Sequence, residues 1–177
     1  MDPKNILSKI DKELEEETIR YEDLAKTYSY KLRPKIKLLH EDSKIPQTMS
    51  DEAAGYDIYA YTEHKSISIK PGECKLIGTG VAITPPENYC AFIMARSGLA
   101  TKQGLRPANC IGLCDYDYTG EYKVALYNDS NKVQIINHGD RIAQLVFMPY
   151  TTPEFIVVDD LDETNRADGG FNSTGSR

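Results

Sequence analysis

A carboxylate near the middle of the chain has the setting of a general base. Asp115 directly follows the apolar pair Leu113 and Cys114 in PANCIGLCDYDYTG, residues 107–120, a segment whose composition predicts a hairpin. A carboxylate held at the edge of an apolar pocket can accept a proton from water near neutral pH. Asp and Gly are also ordinary turn residues, so the segment taken alone fits a purely structural role as well.

A second segment, ARSGLA at residues 95–100, has the composition of an anion site. Arg96 and Ser97 follow an apolar strand and precede a short predicted helix, where a guanidinium and free backbone N–H groups can bind an anion. No GxxxxGK or GxGxxG sequence is present, so a plain strand-to-helix turn is an equal alternative.

The four cysteines do not form a metal motif. Cys110 and Cys114 lack two further ligands at suitable spacing, and His138 fits a turn, so a structural zinc site is not predicted. The absence of CxxC pairs, of a secretory segment and of a long apolar span favours a reducing compartment, cytoplasmic or nuclear, over a secreted or membrane location.

The last stretch, RADGGFNSTGSR at residues 166–177, places one Phe among glycines, hydroxyl groups and arginines. Its Gly and Ser content is typical of a disordered tail. The Phe and the arginines also fit a segment that folds over a ligand, and composition alone does not choose between the two.

Short β-rich runs predict an all-β fold for the central part of the chain. These runs are separated by Pro, Gly, Asn and Asp turns, and strands of this length and spacing are typical of a barrel or a double-sheet jelly roll. The run SGLATKQG predicts one short helix. The predicted strands lie in KIKLL, YDIYAY, SISI, KLIGTGVAI, YCAFIM, EYKVALYN, KVQII, RIAQLVFM and EFIVV.

Residues 2–30 have a different pattern, which predicts an amphipathic helix. Apolar residues recur there at alternating spacings of three and four, from Leu7 to Tyr28, while Pro34 marks a stop. The helix has two alternative roles: packing on its own domain, or contacting a protein partner or other copies of the chain. The predicted organisation is therefore a helical extension over 1–34, a β-domain over 35–165 and an arm over 166–177.

Charge and length narrow the class of protein. A chain of 177 residues with a net charge of −6 has one substantial core and no excess of Lys and Arg. We therefore expect no broad nucleic-acid surface and no anionic-membrane surface, although a locally basic pocket is compatible with this charge.

Five segments together resemble, in order and spacing, the five motifs of the trimeric dUTPase family. The resemblance extends over nearly all of the chain from residue 35 to residue 177, and five ordered motifs are far more specific than any one of them. The segments are AGYDIYA at 54–60, ARSGLA at 95–100, residues 109–120, HGDRIAQL at 138–145 and RADGGFNSTG at 166–175.

The resemblance implies an enzyme that hydrolyses dUTP to dUMP and diphosphate. Such an enzyme limits uracil incorporation into DNA and supplies dUMP for dTMP synthesis. Asp115 matches the carboxylate that activates water, and Gln144 matches a residue that positions the water and the phosphates. The implied cofactor is Mg²⁺, held mainly by the three phosphates and water rather than by protein ligands.

The remaining implied roles concern substrate binding. Arg96, Ser97 and Gly98 match phosphate-contacting positions, and Asp57 matches a supporting carboxylate. The other matched residues recognise the nucleoside: Asn109 pairs with uracil, Gly112 shapes the hairpin, and Tyr118 packs under the deoxyribose.

The resemblance implies that the arm closes over the active site of a neighbouring subunit. Phe171 would stack on the base, Arg166 would reach the terminal phosphate, and Ser173 and Thr174 would wrap that phosphate. A homotrimer with shared active sites is therefore implied.

Two alternatives differ in function. A dCTP deaminase of the same fold carries a catalytic Glu at the position of Ala125, and the only acid in EYKVALYN is Glu121, which makes deamination the weaker alternative. A regulatory or scaffold protein would keep the nucleotide pocket but act through the N-terminal helix.

Overall fold

The structure is a computed structural model that describes residues 32–164. The predicted N-terminal helix and the predicted arm lie outside these residues. The proposed division of the chain at residues 34 and 165 therefore stays a prediction.

Short antiparallel strands are the main regular elements of residues 32–164. One short helix, α1 (Ser97–Gln103), interrupts them. The strands are β1 (Lys35–Leu38), β2 (Tyr56–Tyr59), β3 (Ile67–Ile69), β4 (Cys74–Thr84), β5 (Tyr89–Met94), β6 (Leu105–Pro107), β7 (Ile111–Cys114), β8 (Glu121–Asn128), β9 (Gln134–Ile136) and β10 (Arg141–Pro149).

The strands form two four-stranded sheets and one small sheet. The first sheet has the order β1-β4-β8-β6, the second has the order β2-β10-β5-β7, and β3 pairs with β9. Apolar side chains from both large sheets share one core, including Ile77 and Leu126 from the first and Ile58, Ile142 and Leu145 from the second. This arrangement confirms the predicted all-β jelly-roll fold.

Alternating burial explains why β8 is a strand. Tyr122, Val124, Leu126 and Asn128 are buried, while the residues between them are more exposed. Its partner β4 carries a register shift between Gly78 and Ala82. The position of β8 is therefore determined by the burial of one face as well as by its backbone hydrogen bonds to β4.

Helix α1 lies where the sequence predicts it. It follows Arg96, whose backbone is extended, and it ends at Gly104 with a φ of +67°. The Gly104 N–H closes the last turn on the Ala100 carbonyl oxygen, and a Cβ at Gly104 would press against Ser130. Among residues 32–164, no helix has the length and apolar character needed to cross a bilayer.

The prediction of a hairpin over residues 107–120 is wrong. Strand β6 pairs with β8 in one sheet, whereas β7 pairs with β5 in the other, so the segment crosses between sheets. Strand partners distant in sequence provide this pairing, and local turn composition does not reveal them.

The prediction of a strand in EFIVV is also wrong for the single chain. Residues 154–158 have no strand partner within residues 32–164 and are exposed, with Phe155 90% and Val157 97% accessible. A strand needs backbone partners, and β propensity alone does not supply them.

Candidate active site

A buried carboxylate binds two arginines at one end of the second sheet. Asp57, on β2, is only 1% exposed. Its Oδ1 accepts a hydrogen bond from Arg96 Nε at 3.1 Å, and its Oδ2 accepts one from Arg141 Nη1 at 2.9 Å. Arg96 Nη1 also donates to the Arg141 carbonyl oxygen at 3.1 Å. We call Asp57, Arg96 and Arg141 the arginine cluster.

The arginine cluster leaves positive charge available for a ligand. One carboxylate neutralises only one of the two guanidiniums, and neither contact of Arg96 uses its Nη2. Because Asp57 fixes the Arg96 guanidinium before any ligand arrives, the cluster is preorganised for an anion.

Gln144 lies beside the arginine cluster on β10. It is paired with Asp57 on one side and with Met94, two residues before Arg96, on the other. A Cβ at Gly55 would lie 3.5 Å from Gln144 Nε2, an ordinary van der Waals distance, so Gly55 lies against the Gln144 side chain. The structure thus brings together the predicted residues Asp57, Arg96 and Gln144.

Ser97 and Gly98 open helix α1 next to Arg96, and both are exposed. The first N–H groups of a helix have no partner within it, so they are available to a ligand. A Cβ at Gly98 would meet no atom within 4 Å, which shows open space above this residue.

Asn109 and Gly112 lie together at the start of β7. Cys110, between them, has a φ of +62°, and the Ile111 N–H bonds the Asn109 carbonyl oxygen at 2.6 Å. A Cβ at Gly112 would lie 3.3 Å from Ile93 Cβ and 3.4 Å from Asn109 Nδ2. Gly112 therefore allows close packing of β7 on β5 and holds space for the Asn109 amide.

Asp115 and Tyr118 lie in the exposed loop that follows β7. The Asp115 carbonyl oxygen accepts a hydrogen bond from the Tyr118 N–H at 3.2 Å, which closes a turn. The Tyr118 hydroxyl donates to the Glu121 carbonyl oxygen at 3.0 Å, and its ring stacks near Tyr122. The segment therefore contains a turn, and the Asp115 side chain is exposed.

The chain does not bring Asp115 close to the arginine cluster. Strands β5 and β7 are antiparallel, with Met94 opposite Ile111 and Ala91 opposite Cys114. These two pairs are three residues apart, roughly 10 Å along the strands. Arg96 continues beyond the first pair and Asp115 beyond the second, so the two residues lie toward opposite ends of the paired strands.

The half-buried thiol of Cys114 and the buried phenol of Tyr122 lie behind the Asp115 loop. Burial raises the pKa of the Cys114 thiol to about 11; the charges of Asp115 and Cys90 add to the rise, whereas Tyr122 opposes it. Burial also raises the pKa of Tyr122, with Cys114 as the next cause. The two groups act on each other electrostatically but without hydrogen-bond geometry, and Tyr122 Oη has no hydrogen-bond partner within residues 32–164.

Glu121, the acid considered for deamination, has a structural role. Its carboxylate accepts hydrogen bonds from the Thr79 N–H at 3.1 Å and the Gly80 N–H at 2.9 Å, where the register of β4 shifts. It also lies 3.4 Å from Lys123 Nζ.

Sequence reasoning missed Arg141 as a site residue. It lies in the quoted HGDRIAQL segment, and the signal for it was indirect, because a carboxylate inside an apolar strand requires a cationic partner. The predicted residues Arg166, Phe171, Ser173 and Thr174 lie outside the described residues, so their roles stay predictions.

The fold and the arginine cluster together define an all-β protein equipped to bind an anionic ligand. A sequence profile of the dUTPase family matches residues 41–175. The chain belongs to the dUTPase family.

Bacterial relatives support the same assignment. The chain is 44% identical over 147 residues to the deoxyuridine 5'-triphosphate nucleotidohydrolase of Desulfitobacterium hafniense, a match covering 81% of this chain and 97% of that protein. It is 43% identical over 142 residues to the Finegoldia magna protein of the same name, covering 80% and 99%.

Solved structures of phage dUTPases share the fold. The dUTPase of Staphylococcus bacteriophage 80alpha, solved with dUpNHpp, matches with a TM-score of 0.69 and 27% identity, over 81% of this chain and 98% of that one. A mutant dUTPase of phage phi11 of S. aureus, described with a structural Mg(II) ion, matches with a TM-score of 0.64 and 27% identity, over 72% and 97%.

Proposed function

We propose that the chain hydrolyses dUTP to dUMP and diphosphate. It would thereby limit uracil incorporation into DNA and supply dUMP for dTMP synthesis. The observation that carries this proposal is the arginine cluster beside Gln144 and the start of α1, within a chain that belongs to the dUTPase family. The family assignment favours hydrolysis over a regulatory or scaffold role.

The arginine cluster supplies electrostatic stabilisation in this mechanism. The triphosphate gains negative charge on its leaving group as the α–β phosphoanhydride bond breaks. Arg96, held by Asp57, and the N–H groups of Ser97 and Gly98 face this charge without having to reorganise during the reaction.

Asp115 acts as the general base. Its carboxylate is exposed in the loop after β7, where it has access to water. It removes a proton from the water that attacks the α-phosphorus, while the diphosphate departs. Gln144 positions this water and the phosphates.

Mg²⁺ is the proposed cofactor, and the substrate phosphates and water, rather than protein side chains, would supply most of its ligands. Both oxygens of Asp57 already bind arginines, so this carboxylate is not a direct ligand. Three phosphates and water offer the oxygen ligands that Mg²⁺ prefers. When bound, the ion would neutralise phosphate charge and orient the chain of phosphates.

Base and sugar selection depend on the segment around β7. The Asn109 amide, in the space beside Gly112, pairs with the uracil edge, and cytosine would present a donor where an acceptor is needed. Tyr118 lies under the deoxyribose. Its ring is held by the hydrogen bond to the Glu121 carbonyl oxygen, so it leaves no room for a 2′-hydroxyl.

A homotrimer with shared sites would bring the separated residues together. The register of β5 and β7 keeps Asp115 away from Arg96 of its own chain, so a neighbouring chain would supply the missing half of each site. Residues 154–158 carry apolar side chains that need a covering surface, which a second copy can provide. The arm, with Arg166, Phe171, Ser173 and Thr174, would close the site from a further subunit.

The described cysteines fit a reducing compartment. Cys74, Cys90, Cys110 and Cys114 are all free thiols. We therefore place the enzyme in the cytoplasm or the nucleus.

The test is diphosphate release from dUTP, dCTP, dTTP and UTP with Mg²⁺. We expect turnover of dUTP alone. The Asp115→Asn variant should lose about a thousandfold in kcat because its amide does not accept the proton of water. A control variant, Asp117→Asn, changes a neighbouring exposed carboxylate in the same loop and should keep its activity. Full turnover by the Asp115→Asn protein would refute the proposed base, and no turnover by the intact trimer would refute the proposed reaction.

A further inference from the structure

Three loops meet at a second group of polar side chains. Asp42 lies in the turn after β1, His64 between β2 and β3, and His138 in the turn before β10. His64 Nε2 is 2.7 Å from Asp42 Oδ2, and His138 Nε2 is 3.4 Å from the same oxygen. The ligating atoms of these three residues all lie within 4.8 Å of one another. We call Asp42, His64 and His138 the histidine cluster.

The His138 ring is held firmly by its surroundings. Its side chain is 15% exposed, and the Thr62 N–H donates to its Nδ1 at 3.3 Å. The backbone of its turn is fixed as well, because the Gly139 N–H bonds the Ala60 carbonyl oxygen at 2.8 Å. The orientation of the ring is therefore fixed, with Nε2 directed toward Asp42.

His64 reaches the histidine cluster through an unusual backbone. Glu63 and His64 both have positive φ angles, +50° and +61°. Two adjacent residues with side chains rarely adopt this conformation, and such local strain is concentrated at functional sites. The His64 side chain is 72% exposed, so it can adjust its position and it leaves one side of the cluster open to water.

The charges around the histidine cluster are mixed. Asp42 belongs to the cluster, and Glu63, beside His64, pairs with Lys65 Nζ at 3.4 Å. Lys44 adds a positive charge, since its Nζ lies close to Gly139 in the His138 turn. The third histidine of the chain, His40, stacks on Tyr61 at 4.0 Å and does not belong to the ligating set.

We propose that Asp42, His64 and His138 bind a divalent transition-metal ion of the Zn²⁺ type. Two imidazole nitrogens and one carboxylate oxygen are a common zinc donor set, with water in the remaining position. Mg²⁺ prefers oxygen ligands only, so this site is distinct from the proposed catalytic ion.

The separations suit such an ion after a small adjustment. Ligands at about 2.0–2.1 Å from zinc in tetrahedral geometry lie about 3.3 Å apart. The distance between His138 and Asp42 already matches this value, and the exposed His64 has to move outward by a fraction of an ångström.

The position of the His138 ring proton predicts a moderate affinity for the metal ion. With Nδ1 of His138 accepting from Thr62, the ring proton lies on Nε2 and points to Asp42. A metal on Nε2 requires this proton to move to Nδ1, and the Thr62 contact must then open. We therefore expect micromolar binding rather than the tight binding of a structural zinc site.

The test is calorimetric titration of the full-length, tag-free chain with Zn²⁺ in the presence of Mg²⁺. We expect one Zn²⁺ per chain. His64→Asn removes a direct ligand. Changes to the groups that surround metal ligands typically reduce metal affinity by about tenfold to a hundredfold, so the Zn²⁺ affinity of this variant should fall by at least that much. His64 is exposed on a loop, so the variant should fold, and an unchanged thermal midpoint checks this.

Matched variants separate this site from other zinc ligands. His40→Asn changes a nearby histidine outside the histidine cluster and should bind Zn²⁺ as the unchanged chain does. Both proteins keep the exposed thiols of Cys74 and Cys110, so zinc bound by thiols persists in both. Asp42→Asn should weaken binding like His64→Asn. No saturable binding by the unchanged chain, or equal binding by the His64→Asn chain, would overturn the proposal.

Discussion

The two predicted site carboxylates, Asp57 and Asp115, differ in almost every physical respect. Asp57 is buried and bound by two arginines, whereas Asp115 lies in an exposed loop. The first is part of a framework that holds positive charge in place, and its ion pairs are complete before substrate arrives. The second is left accessible to water. The comparison places the proposed electrostatic preorganisation on β2 and its partners and the proposed proton transfer on the loop after β7.

The comparison is tested most strongly by mixing two inactive proteins. Arg96→Ala removes the proposed phosphate-binding half and Asp115→Asn removes the proposed base, so neither variant alone should be active. In the proposed homotrimer, co-expressed chains would form mixed trimers, in which about a quarter of the sites combine an intact Arg96 from one chain with an intact Asp115 from another. We expect dUTP turnover to return to about that fraction.

Mass spectrometry of the intact assemblies provides the control for this experiment. It reports whether mixed trimers form. Mixed trimers that stay inactive would show that both residues of a site come from one chain.

A second test removes the framework carboxylate. Asp57→Ala leaves the partly buried Arg96 guanidinium without its partner, and the free energy of unfolding should fall by about 3 kcal/mol. The low end of the usual range applies because the Arg141 side chain is 41% exposed. Chemical denaturation measures this change. Asp115→Asn is the matched control, and a loss of stability there as large as that in Asp57→Ala would contradict the contrast between the two carboxylates.

A third test concerns sugar selection in the exposed loop. Tyr118→Ala should raise kcat/KM for UTP relative to dUTP by about tenfold, because it removes the ring expected under the sugar. The variant also loses the hydrogen bond to the Glu121 carbonyl oxygen, which contributes about 1 kcal/mol to stability. Tyr118→Phe separates the effects, since it loses the bond but keeps the ring. If Tyr118→Ala rejects UTP as strongly as the unchanged enzyme does, the ring has no part in sugar selection.

The smallest expected effect is a pH dependence of stability that comes from Cys114, which lies behind the Asp115 loop. The pKa of Cys114 is raised to about 11 from an ordinary value of 9.0, so the unfolded thiol ionises first as the pH rises. Stability from this thiol is therefore complete below pH 9 and is lost between about pH 9 and pH 11, by about 1 kcal/mol given its partial exposure.

Denaturation at a series of pH values measures this loss. Cys114→Ala should show a shallower fall than the unchanged chain. The two proteins are compared between pH 9 and pH 10, below the ordinary pKa of the Tyr122 phenol, because part of the rise in the Tyr122 pKa depends on Cys114. Identical slopes for the two proteins would mean that the thiol is not the titrating group.

Sequence patterns predicted the strands well where alternation was strong. Buried and exposed residues alternate along β8, and the helix in SGLATKQG was also found. Residues 107–120, which include β7, were assigned to a hairpin instead, because the β5 partner of β7 is distant in sequence and the turn residues around β7 suggested local pairing.

The sequence did not reveal which residues, distant along the chain, lie close together in the fold. Arg141 stands 84 positions from Asp57, and the bond between them depends on the register of β10 on β2. Asp42, His64 and His138 come from three loops, and His138 alone suggested only a turn. Motif order identified the residue types for the site, whereas strand register determined which of them lie together.

The exposed segment after β10 has a consequence for how copies of the chain associate. A segment that one chain gives to the next is a head-to-tail contact, which ends only when the chains close into a ring. Pro149 and Pro153 bracket the exit from β10, and their restricted φ angles limit the direction in which residues 154–158 leave. The segment that would support the proposed closed trimer would, at a different exit angle, join chains into an open filament.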